Sequence, residues 1–451
     1  MRVHFVGIGG IGMSAIAKVM LEEGHEVSGS DLKLSPITDA LSRIGAIIFQ
    51  GHSEDNLGRV DLVVVSSAVS EANPELQAAR ERRVTVVKRA EMLGRLMKQR
   101  AGIAIAGTHG KTTTSALIAH TLEKAGLDPT ILVGGEMLDI GSNAKLGKGR
   151  YLVAEADEFD GSFLHLEPQI AVVTNVEPEH LDYYKSFNQA VDAFHQFIES
   201  VPEDGQVIIC GDDPQLNLIK GYSKATVSTY GFGEGADWRA TSMNKMASGS
   251  FEFDVEHRGS AYRRFRIGIT GEHNVLNALA AVVVNSIIGI APEITGTALA
   301  SFRGVKRRFE IKGEMDGIII VDDYAHHPTE IRATLKAAKE RFGDNRIVAV
   351  FQPHTYSRTK FLFQEFTFCF GDADEVIITD TYAAREKDEW GISSADLADA
   401  LHHSNVRYIA SLQDAAQTIS HELNQGDVLI TIGAGDVHRV GEKVMEELKA
   451  R

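Results

Sequence analysis

The stretch GIAIAGTHGKTT, residues 102–113, decides how the middle of the chain folds. Its first five residues are small or apolar and predict a buried strand, and the glycines and threonines after them predict a turn that opens a helix. In such a loop the backbone N–H groups and Lys111 hold the β- and γ-phosphates of a nucleotide, and the Thr112 hydroxyl binds Mg²⁺. Ile105 stands where the full phosphate-loop pattern has its first glycine. The strand–loop–helix order nevertheless predicts an ATP site.

Strand-like and helix-like segments alternate outward from this stretch to both ends of the chain, a pattern typical of parallel α/β architecture. A length of 451 residues predicts about three domains. We expect them at residues 1–100, 101–301 and 302–451: a Rossmann-like domain, a central phosphate-loop domain with a parallel sheet, and a second Rossmann-like domain. Within them, residues 223–266 predict a small antiparallel patch, and Lys360–Phe368 predicts a helix.

The composition is that of a globular protein, and it excludes some functions. A net charge of −16 argues against a nucleic-acid partner, because wrapping a polyanion requires clustered Lys and Arg. Cys210 and Cys369 lie far apart and indicate neither a disulfide framework nor a zinc site, which fits a reducing cytosol. The N-terminus resembles a strand rather than a signal peptide, and no apolar run reaches membrane-spanning length. We therefore expect a soluble, cytoplasmic protein without membrane insertion.

A second glycine loop, GIGGIG at residues 7–12, follows the predicted strand Val3–Val6 and precedes a helix. Such glycines let backbone N–H groups approach a diphosphate at the positive end of the helix. Asp31 ends the next strand at about the spacing where an acid binds a ribose hydroxyl. The alternative is that the glycines only close a tight turn. The motif by itself does not identify the nucleotide, and NAD would be the default.

Two residues at strand ends extend the phosphate site. Glu155 follows the predicted strand Tyr151–Ala154, and His180 follows the predicted strand Ile170–Thr174. Ligands gather at the carboxyl ends of parallel strands, so we expect both residues to converge on Thr112. A carboxylate suits Mg²⁺, whereas a histidine is a less usual ligand for it. Taken alone, His180 would be a loop histidine bonded to backbone. The acidic segment Glu155–Asp160, taken alone, would be a solvated face.

With these residues the chain resembles the Mur ligase family over nearly its whole length. The family's phosphate loop is a shortened GT-x-GK-TT, which accounts for Ile105, and its Mg²⁺ ligands correspond to Glu155 and His180, beside Thr112. Residues 271–277 resemble its adenine-binding segment; without the resemblance they would be a helix start. The resemblance implies that ATP is bound by Gly107, Thr108, His109, Gly110, Lys111, Thr112, Thr113, His273, Asn274, Asn277 and Asp323. In this family the N-terminal domain resembles a dinucleotide fold but binds a UDP-sugar, which implies a role in UDP binding for Gly9, Gly10, Gly12 and Asp31.

Two loops of the third domain identify the branch of the family. Residues 322–328, DDYAHHP, follow one predicted strand, and residues 352–358, QPHTYSR, follow another, so both loops should share one edge. Together with the N-terminal glycine loop they resemble the L-alanine-adding branch. Some relatives have Arg where Thr355 stands, which implies that a second carboxylate-binding Arg is either missing here or supplied by another part of the chain. Phe194 stands, by spacing, where later-acting ligases carry a carbamylated lysine.

The resemblance implies a two-step reaction in peptidoglycan precursor synthesis. The carboxylate of UDP-N-acetylmuramate attacks the γ-phosphate of ATP, and the amine of L-alanine then attacks the resulting acyl phosphate. Lys111 would stabilise the phosphoryl charge, His326 would contact the amino acid and help to deprotonate it, and Arg358 would bind the alanine carboxylate. The plainer alternative for Arg358 is a surface arginine at a helix start.

Three rival interpretations remain open from the sequence. An NAD-dependent oxidoreductase would explain the loop at residues 7–12 but not the phosphate loop. A non-catalytic nucleotide sensor would explain Lys111 but not Glu155, His180 and Arg358 together. A tripeptide-adding recycling ligase of the same family shares the loop at residues 322–328, although the loop at residues 352–358 differs.

Overall fold

The computed structural model describes residues 1–384 and 386–450. Within this part of the chain the strands form three sheets, which lie within residues 2–88, 101–266 and 310–432. All three are mainly parallel and carry helices in their crossover connections, which confirms the predicted α/β fold with three domains. No described helix combines the length and the apolar character needed to cross a bilayer.

The first sheet has five parallel strands in the order β3-β2-β1-β4-β5. Its strands are β1 (Arg2–Val6), β2 (Glu26–Asp31), β3 (Ile47–Gln50), β4 (Leu62–Val65) and β5 (Thr85–Lys88). Its helices are α1 (Ile11–Glu22), α2 (Pro36–Arg43), α3 (Pro74–Glu81) and α4 (Arg89–Met97). The strand order reverses at β1, which pairs with β2 on one side and β4 on the other. Ligands bind beyond the carboxyl end of the strand at such a reversal, and the glycine loop of residues 7–12 lies there.

The second sheet has ten strands in the order β15-β14-β13-β12-β11-β10-β6-β9-β7-β8. The strands are β6 (Ala101–Ala106), β7 (Thr130–Met137), β8 (Ser142–Lys145), β9 (Tyr151–Glu155), β10 (Ile170–Val173), β11 (Gln206–Cys210), β12 (Thr226–Gly231), β13 (Trp238–Lys245), β14 (Phe251–His257) and β15 (Ser260–Arg266). The helices are α5 (Lys111–Lys124), α6 (Leu181–Tyr184), α7 (Phe187–Glu199), α8 (Pro214–Ile219), α9 (His273–Ile288) and α10 (Pro292–Ser301). The central strands are continuous apolar runs because helices cover both faces of a parallel sheet.

The predicted antiparallel patch at residues 223–266 is only partly confirmed. β13, β14 and β15 pair antiparallel, as expected. The prediction is wrong for β12, which pairs parallel with β11 and extends the main sheet. The reason is the connection between these two strands, because it contains α8 and is long enough for the crossover that parallel pairing requires.

The third sheet has six strands in the order β16-β17-β21-β18-β19-β20. The strands are β16 (Glu310–Met315), β17 (Ile318–Asp323), β18 (Ile347–Phe351), β19 (Glu375–Ile378), β20 (Val406–Tyr408) and β21 (Val428–Ile432). The helices are α11 (Pro328–Phe342), α12 (Tyr356–Phe361), α13 (Phe363–Phe366), α14 (Ser394–Ala400), α15 (Leu412–Glu422) and α16 (His438–Lys449). Among these described strands the one antiparallel pair is β16 with β17, and β16 lies at the sheet edge.

The predicted helix Lys360–Phe368 has the wrong bounds. Thr355 is the N-cap of α12, and its hydroxyl accepts the N–H of Arg358, so the helix begins at Tyr356. The helix then breaks at Leu362 before the short α13. The earlier start is important for the site, because it puts Arg358 in the first turn of a helix rather than in a loop.

Candidate active site

A cavity of about 890 Å³ lies where the three domains meet, a size that suits a ligand of several hundred daltons. All three domains contribute polar residues to its wall. The N-terminal domain contributes Gly10, Gly12, Lys18, Ser66 and Arg89; the central domain contributes Thr108, Gly110, Lys111, Thr112, Glu155, Glu158, Glu179 and His180; the C-terminal domain contributes Lys306, Arg307, Arg308, Tyr324, His326 and Glu330. Residues predicted from three separate motifs therefore share one cavity.

The phosphate loop connects β6 to α5 through glycines that no other residue could replace. Gly107 has a φ of +128°, and a Cβ there would lie 2.0 Å from Oγ1 of Thr174. Gly110 is the left-handed N-cap of α5 with a φ of +81°, and its Cβ would lie 2.6 Å from Oδ1 of Asn277. The first N–H groups of an α-helix have no partner within the helix, and Gly110, Lys111 and Thr112 line the cavity, so the start of α5 can bind an anion there.

Lys111 is the first residue of α5 and is nearly buried. Its Nζ lies 2.8 Å from Oε2 of Glu158 and donates hydrogen bonds to the carbonyl oxygens of Gly107 and Thr108. Burial opposes the charge, but Glu158 and neighbouring carboxylates outweigh it and raise the pKa of the Lys111 ammonium. The lysine is therefore a fixed cation at the end of the cavity where phosphates would lie.

Glu158 is the buried partner of this lysine, and the sequence analysis did not single it out. Burial raises the pKa of its carboxyl, although Lys111 opposes the shift. Nε2 of His180 lies 4.0 Å from Oε1 of Glu158, and the His180 ring meets Phe159 edge-on. His180 has a left-handed backbone and is the N-cap of α6.

Thr112 and Glu155 are in direct contact, as expected. The Thr112 hydroxyl donates to Oε2 of Glu155 at 2.8 Å, and the N–H of Gly134 donates to the same oxygen at 3.0 Å. A Cβ at Gly134 would lie 2.3 Å from that oxygen, so the glycine keeps space for the carboxylate. A hydroxyl and a carboxylate at the cavity wall are the hard oxygen donors that Mg²⁺ prefers. His180 lies on the wall of the same cavity but pairs with Glu158 instead.

The expected adenine-binding residues lie at the start of α9, behind the phosphate loop. Oδ1 of Asn277 accepts the Thr114 hydroxyl at 3.1 Å, and its amide donates to Oδ1 of Asn274 at 2.9 Å. Burial lowers the pKa of His273 to about 4, so its ring is neutral. None of these three residues is among the described residues that line the cavity. Of the three, Asn277 packs against Gly110 of the phosphate loop.

Asp323 is likewise held inside the C-terminal domain. Its two carboxylate oxygens accept the N–H groups of Ala325 at 2.7 Å and Phe309 at 2.8 Å. Burial raises the pKa of this carboxyl to about 6. In the described chain the cavity wall does not include Asp323, which shapes the loop that carries His326.

The N-terminal glycine loop reaches the cavity through two of its predicted residues, Gly10 and Gly12. The other two predicted residues, Gly9 and Asp31, contact each other. The N–H of Gly9 donates to Oδ2 of Asp31 at 2.9 Å. A Cβ at Gly9 would lie 2.8 Å from that oxygen, which explains the glycine. A Cβ at Gly12 would lie 3.1 Å from Arg89, a cation that the sequence analysis missed.

His326 lies on the cavity wall in the loop between β17 and α11. Its Nδ1 donates to the carbonyl oxygen of Tyr324 at 3.0 Å, which leaves Nε2 as the acceptor. Burial lowers the pKa of His326 to about 4, although Glu330 opposes the shift. The ring is therefore neutral at physiological pH.

Arg358 is not a surface arginine, and its guanidinium crosses to the central domain. Nε donates to Oε1 of Glu179 at 3.0 Å, and Nη1 donates to the carbonyl oxygen of His354 at 3.0 Å. Burial opposes ionisation of Glu179, but Arg358 and nearby histidines hold the pKa of this carboxyl far below its usual range. Glu179 lines the cavity, whereas Arg358 lies behind it among the described residues.

His109 turns its ring away from the phosphate loop and towards α11. Its ring nitrogens lie 3.2 Å from Oε1 of Glu330 and 3.4 Å from Oε2 of Glu177. Burial alone would lower the pKa of His109, but these two carboxylates raise it to about 9. The histidine is a cation that joins the central domain to the C-terminal domain.

Family models match almost every part of the chain. The model of the Mur ligase family catalytic domain matches residues 2–101, the Mur ligase middle domain matches residues 105–285, and the Mur ligase glutamate ligase domain matches residues 307–435. The chain belongs to the Mur ligase family.

Several full-length relatives of this Mur ligase carry the same name. The UDP-N-acetylmuramate–L-alanine ligase of Geobacter sp. (strain M21) is 48% identical, and the alignment covers 100% of this chain and 98% of that protein. The enzyme of the same name from Caldanaerobacter subterraneus subsp. tengcongensis is 45% identical over 99% of this chain and 98% of that protein.

Two solved structures are similar to almost the whole of this chain. The crystal structure of UDP-N-acetylmuramate-alanine ligase from Thermotoga maritima has a TM-score of 0.85, 31% identity, and coverage of 100% of this chain and 99% of that chain. A murein peptide ligase from Psychrobacter arcticus 273-4 has a TM-score of 0.75, 26% identity, and coverage of 99% and 98%.

Several polar residues of this Mur ligase site were not predicted. Lys306, Arg307 and Arg308 bring positive charge to the cavity, and Nη2 of Arg308 lies 3.4 Å from the Thr112 hydroxyl. The signal was the run of three basic residues just after the second predicted domain boundary. Glu330 gave no comparable signal, because its importance comes from contact with His109 of another domain.

Proposed function

We propose that this Mur ligase is the ATP-dependent enzyme that joins L-alanine to UDP-N-acetylmuramate through an acyl phosphate, releasing ADP and phosphate, in peptidoglycan precursor synthesis. One observation carries the proposal: a single cavity joins the glycine loop of the first domain, the phosphate loop of the second and the histidine loop of the third. A three-substrate ligase needs three such sites within reach of one another. Names of the full-length relatives supply the identity of the acid and the amine.

The proposed domains are residues 1–100 for the UDP-sugar, 101–301 for ATP and 302–451 for the amino acid. In the first, Gly9, Gly10, Gly12 and Asp31 organise the site for the UDP-sugar. Gly10 and Gly12 line the cavity, and Gly9 fixes Asp31 beside it. We propose a cytoplasmic location, which fits these substrates.

Phosphoryl transfer would take place at the start of α5. Backbone N–H groups of residues 107–113 and the ammonium of Lys111 would hold the phosphates, with Lys111 exchanging Glu158 for a phosphate oxygen. Thr112 and Glu155 would hold Mg²⁺, with His180 on the wall of the same cavity, and the bound ion would neutralise charge on the phosphoryl oxygens. The residues around His273, Asn274 and Asn277 would support the adenine end, and Asp323 would position the facing loop.

The amine would enter beside the C-terminal domain. His326 is neutral, with Nδ1 held by a carbonyl, so Nε2 can accept a hydrogen bond from the alanine ammonium. A pKa of about 4 makes it a positioning acceptor rather than a strong base. Arg358 would bind the alanine carboxylate, for which a planar guanidinium is well suited. To do so it must share or release Glu179.

The decisive experiment measures phosphate release by the full chain with ATP, Mg²⁺, UDP-N-acetylmuramate and single amino acids or the tripeptide of recycling ligases. We expect release with L-alanine and little with the tripeptide. Preference for the tripeptide would instead identify the recycling branch. No release with any amine would support a nucleotide sensor.

Calorimetry with UDP-N-acetylmuramate and with NADH tests the first domain, and tight binding of NADH alone would exclude the UDP-sugar.

A further inference from the structure

Three side chains meet between the phosphate loop and the C-terminal domain, outside the cavity wall of the described chain. They are His109 of the phosphate loop, Glu177 after β10, and His327 at the N-cap of α11. One ring nitrogen of each histidine and one carboxylate oxygen of Glu177 all lie within 4.8 Å of one another. We call these three residues the interdomain cluster, because two belong to the central domain and one to the C-terminal domain.

Two of the separations in the interdomain cluster are close to those of a tetrahedral zinc site. Nε2 of His109 lies 3.4 Å from Oε2 of Glu177, and Nδ1 of His327 lies 3.7 Å from the same oxygen. Zinc bonds of about 2.0–2.1 Å at tetrahedral angles put neighbouring ligand atoms about 3.3 Å apart. Small side-chain rotations would therefore close the cluster on an ion. Two imidazoles and one carboxylate, with a fourth position open to water, form a zinc donor set.

An unsatisfied nitrogen of His109 is an independent sign that the interdomain cluster can accept a ligand. Nε2 of His109, which faces Glu177, is buried without a well-directed hydrogen bond. His327 is also buried, with its side chain only 5% exposed. Its Nδ1 faces the same oxygen of Glu177 and accepts one long contact of 3.3 Å from the N–H of Thr329. His327 can therefore give Nδ1 to an ion at the loss of a single weak hydrogen bond.

The surrounding charge also suits a divalent cation. Carboxylates of Glu177 and Glu330 both lie within 3.4 Å of the His109 ring. A zinc ion in place of the His109 proton would keep both carboxylates compensated. The Mg²⁺ ligands proposed above, Thr112 and Glu155, are hard oxygen donors, so the two sites differ in ligand chemistry.

We propose that His109, Glu177 and His327 form a zinc site that joins the central domain to the C-terminal domain. Since its ligands come from both domains, a bound ion stabilises the contact between the phosphate loop and α11. The proposal does not depend on the ligase reaction or on its substrates.

Metal binding to the full-length chain tests the proposal directly. Metal-free protein in excess Mg²⁺ is titrated with Zn²⁺ against a chromogenic chelator, and with Co²⁺ by visible absorption. We expect one tightly bound zinc ion per chain and the intense absorption bands of four-coordinate cobalt. Loss of an outer-sphere partner typically weakens metal binding by about 10–100-fold, so loss of a ligand should weaken it by more than about 100-fold. Glu177→Gln and His327→Asn are the two test variants, and the asparagine can still cap α11.

Two control variants locate the ion. His421→Asn, at an exposed position of α15, should bind zinc like the wild type. Glu155→Gln removes the Mg²⁺ ligand and should leave zinc binding intact. Thermal unfolding without metal checks that Glu177→Gln and His327→Asn fold, and either folded variant decides the question. Absence of tight zinc binding, wild-type affinity in a folded test variant, or loss of zinc only in Glu155→Gln would each overturn the proposal.

Discussion

The guanidinium Nε of Arg358 donates to Oε1 of Glu179 at 3.0 Å, and this ion pair links α12 of the C-terminal domain to the segment after β10 of the central domain. The two side chains are only 10% and 9% exposed, so neither charge is compensated by bulk water. Glu179 precedes His180 and lines the cavity. This ion pair therefore joins the two domains and also places a negative charge beside Arg358, the proposed alanine-binding residue.

Arg358→Ala should reduce both stability and alanine use. Removing one partner of a buried ion pair typically costs about 3–5 kcal/mol, because the other charge stays buried and unpaired. A charged bidentate bond to a carboxylate is worth about 1.5–3 kcal/mol, so the Michaelis constant for L-alanine should rise roughly tenfold to more than a hundredfold. Denaturant unfolding and steady-state kinetics measure the two effects.

Two further variants separate these effects. The double variant Arg358→Ala with Glu179→Ala should recover much of the stability but not the alanine affinity. Arg358→Lys should recover little alanine use, because an ammonium cannot reproduce the planar fork. If the Michaelis constant for ATP alone changed, Arg358 would belong to the phosphate site. An unchanged constant for both substrates would leave it a purely structural residue.

Lys111→Ala should abolish phosphate release without unfolding the chain. Removal of one preorganised donor from a transition state typically lowers turnover by about 10²–10³-fold. Glu158 would lose its partner, but burial already raises the pKa of its carboxyl, so it can become neutral instead of remaining an unpaired charge. Turnover and the unfolding midpoint are the measurements. Near-normal turnover in the variant would remove this loop from the active site.

Gly110→Ala tests whether ATP binding depends on the backbone conformation of the phosphate loop. The new Cβ would lie 2.6 Å from Oδ1 of Asn277 at a φ of +81°, so the loop must shift and ATP binding should be lost. Gly126→Ala is a matched control, because its φ is +73° but nothing lies within 4 Å of the added Cβ. The control should lose only about 1 kcal/mol of stability from the left-handed backbone and keep its affinity for ATP. Equal ATP affinity in the two variants would contradict the role of Gly110.

The sequence was sufficient to predict the parts of the fold that repeat a local pattern. β6 and the phosphate loop are contiguous and follow simple rules, so both were predicted correctly. β12 was assigned to the wrong pairing because its polar and apolar alternation does not reveal which neighbour it joins. The start of α12 was missed because the hydroxyl of Thr355, rather than an apolar repeat, fixes it.

The site was predictable where its residues lie at the carboxyl ends of parallel strands. Thr112 and Glu155 were expected to meet and do so at 2.8 Å. Contacts between domains were not predictable, because spacing in a sequence says nothing about which residues meet across an interface. Glu179 was given no role from the sequence, and the buried partner that holds it is Arg358 of another domain.

The ion pairs of His109, one within the central domain and one to the C-terminal domain, predict a particular dependence of stability on pH. Its pKa is raised to about 9 in the folded chain by Glu177 and Glu330, against about 6.5 for an ordinary histidine. A raised folded pKa means that the protonated ring stabilises the fold fully below pH 6.5 and that this contribution is lost as pH rises through about 9. The shift corresponds to a contribution of at most about 3 kcal/mol. We therefore expect the free energy of unfolding of the wild type to fall between pH 6.5 and 9, relative to His109→Gln.

The measurement is denaturant unfolding of both proteins at several pH values in the presence of a chelator, which excludes any effect of bound metal. A difference between the two proteins that shrinks with rising pH supports the ion pairs. A constant difference would mean that His109 stabilises the fold through packing alone, and a growing difference would mean that the neutral ring is the stabilising form. Glu330→Gln serves as the partner control: without one of the two carboxylates, the pH at which the contribution is lost should move down, because less negative charge holds the proton on His109.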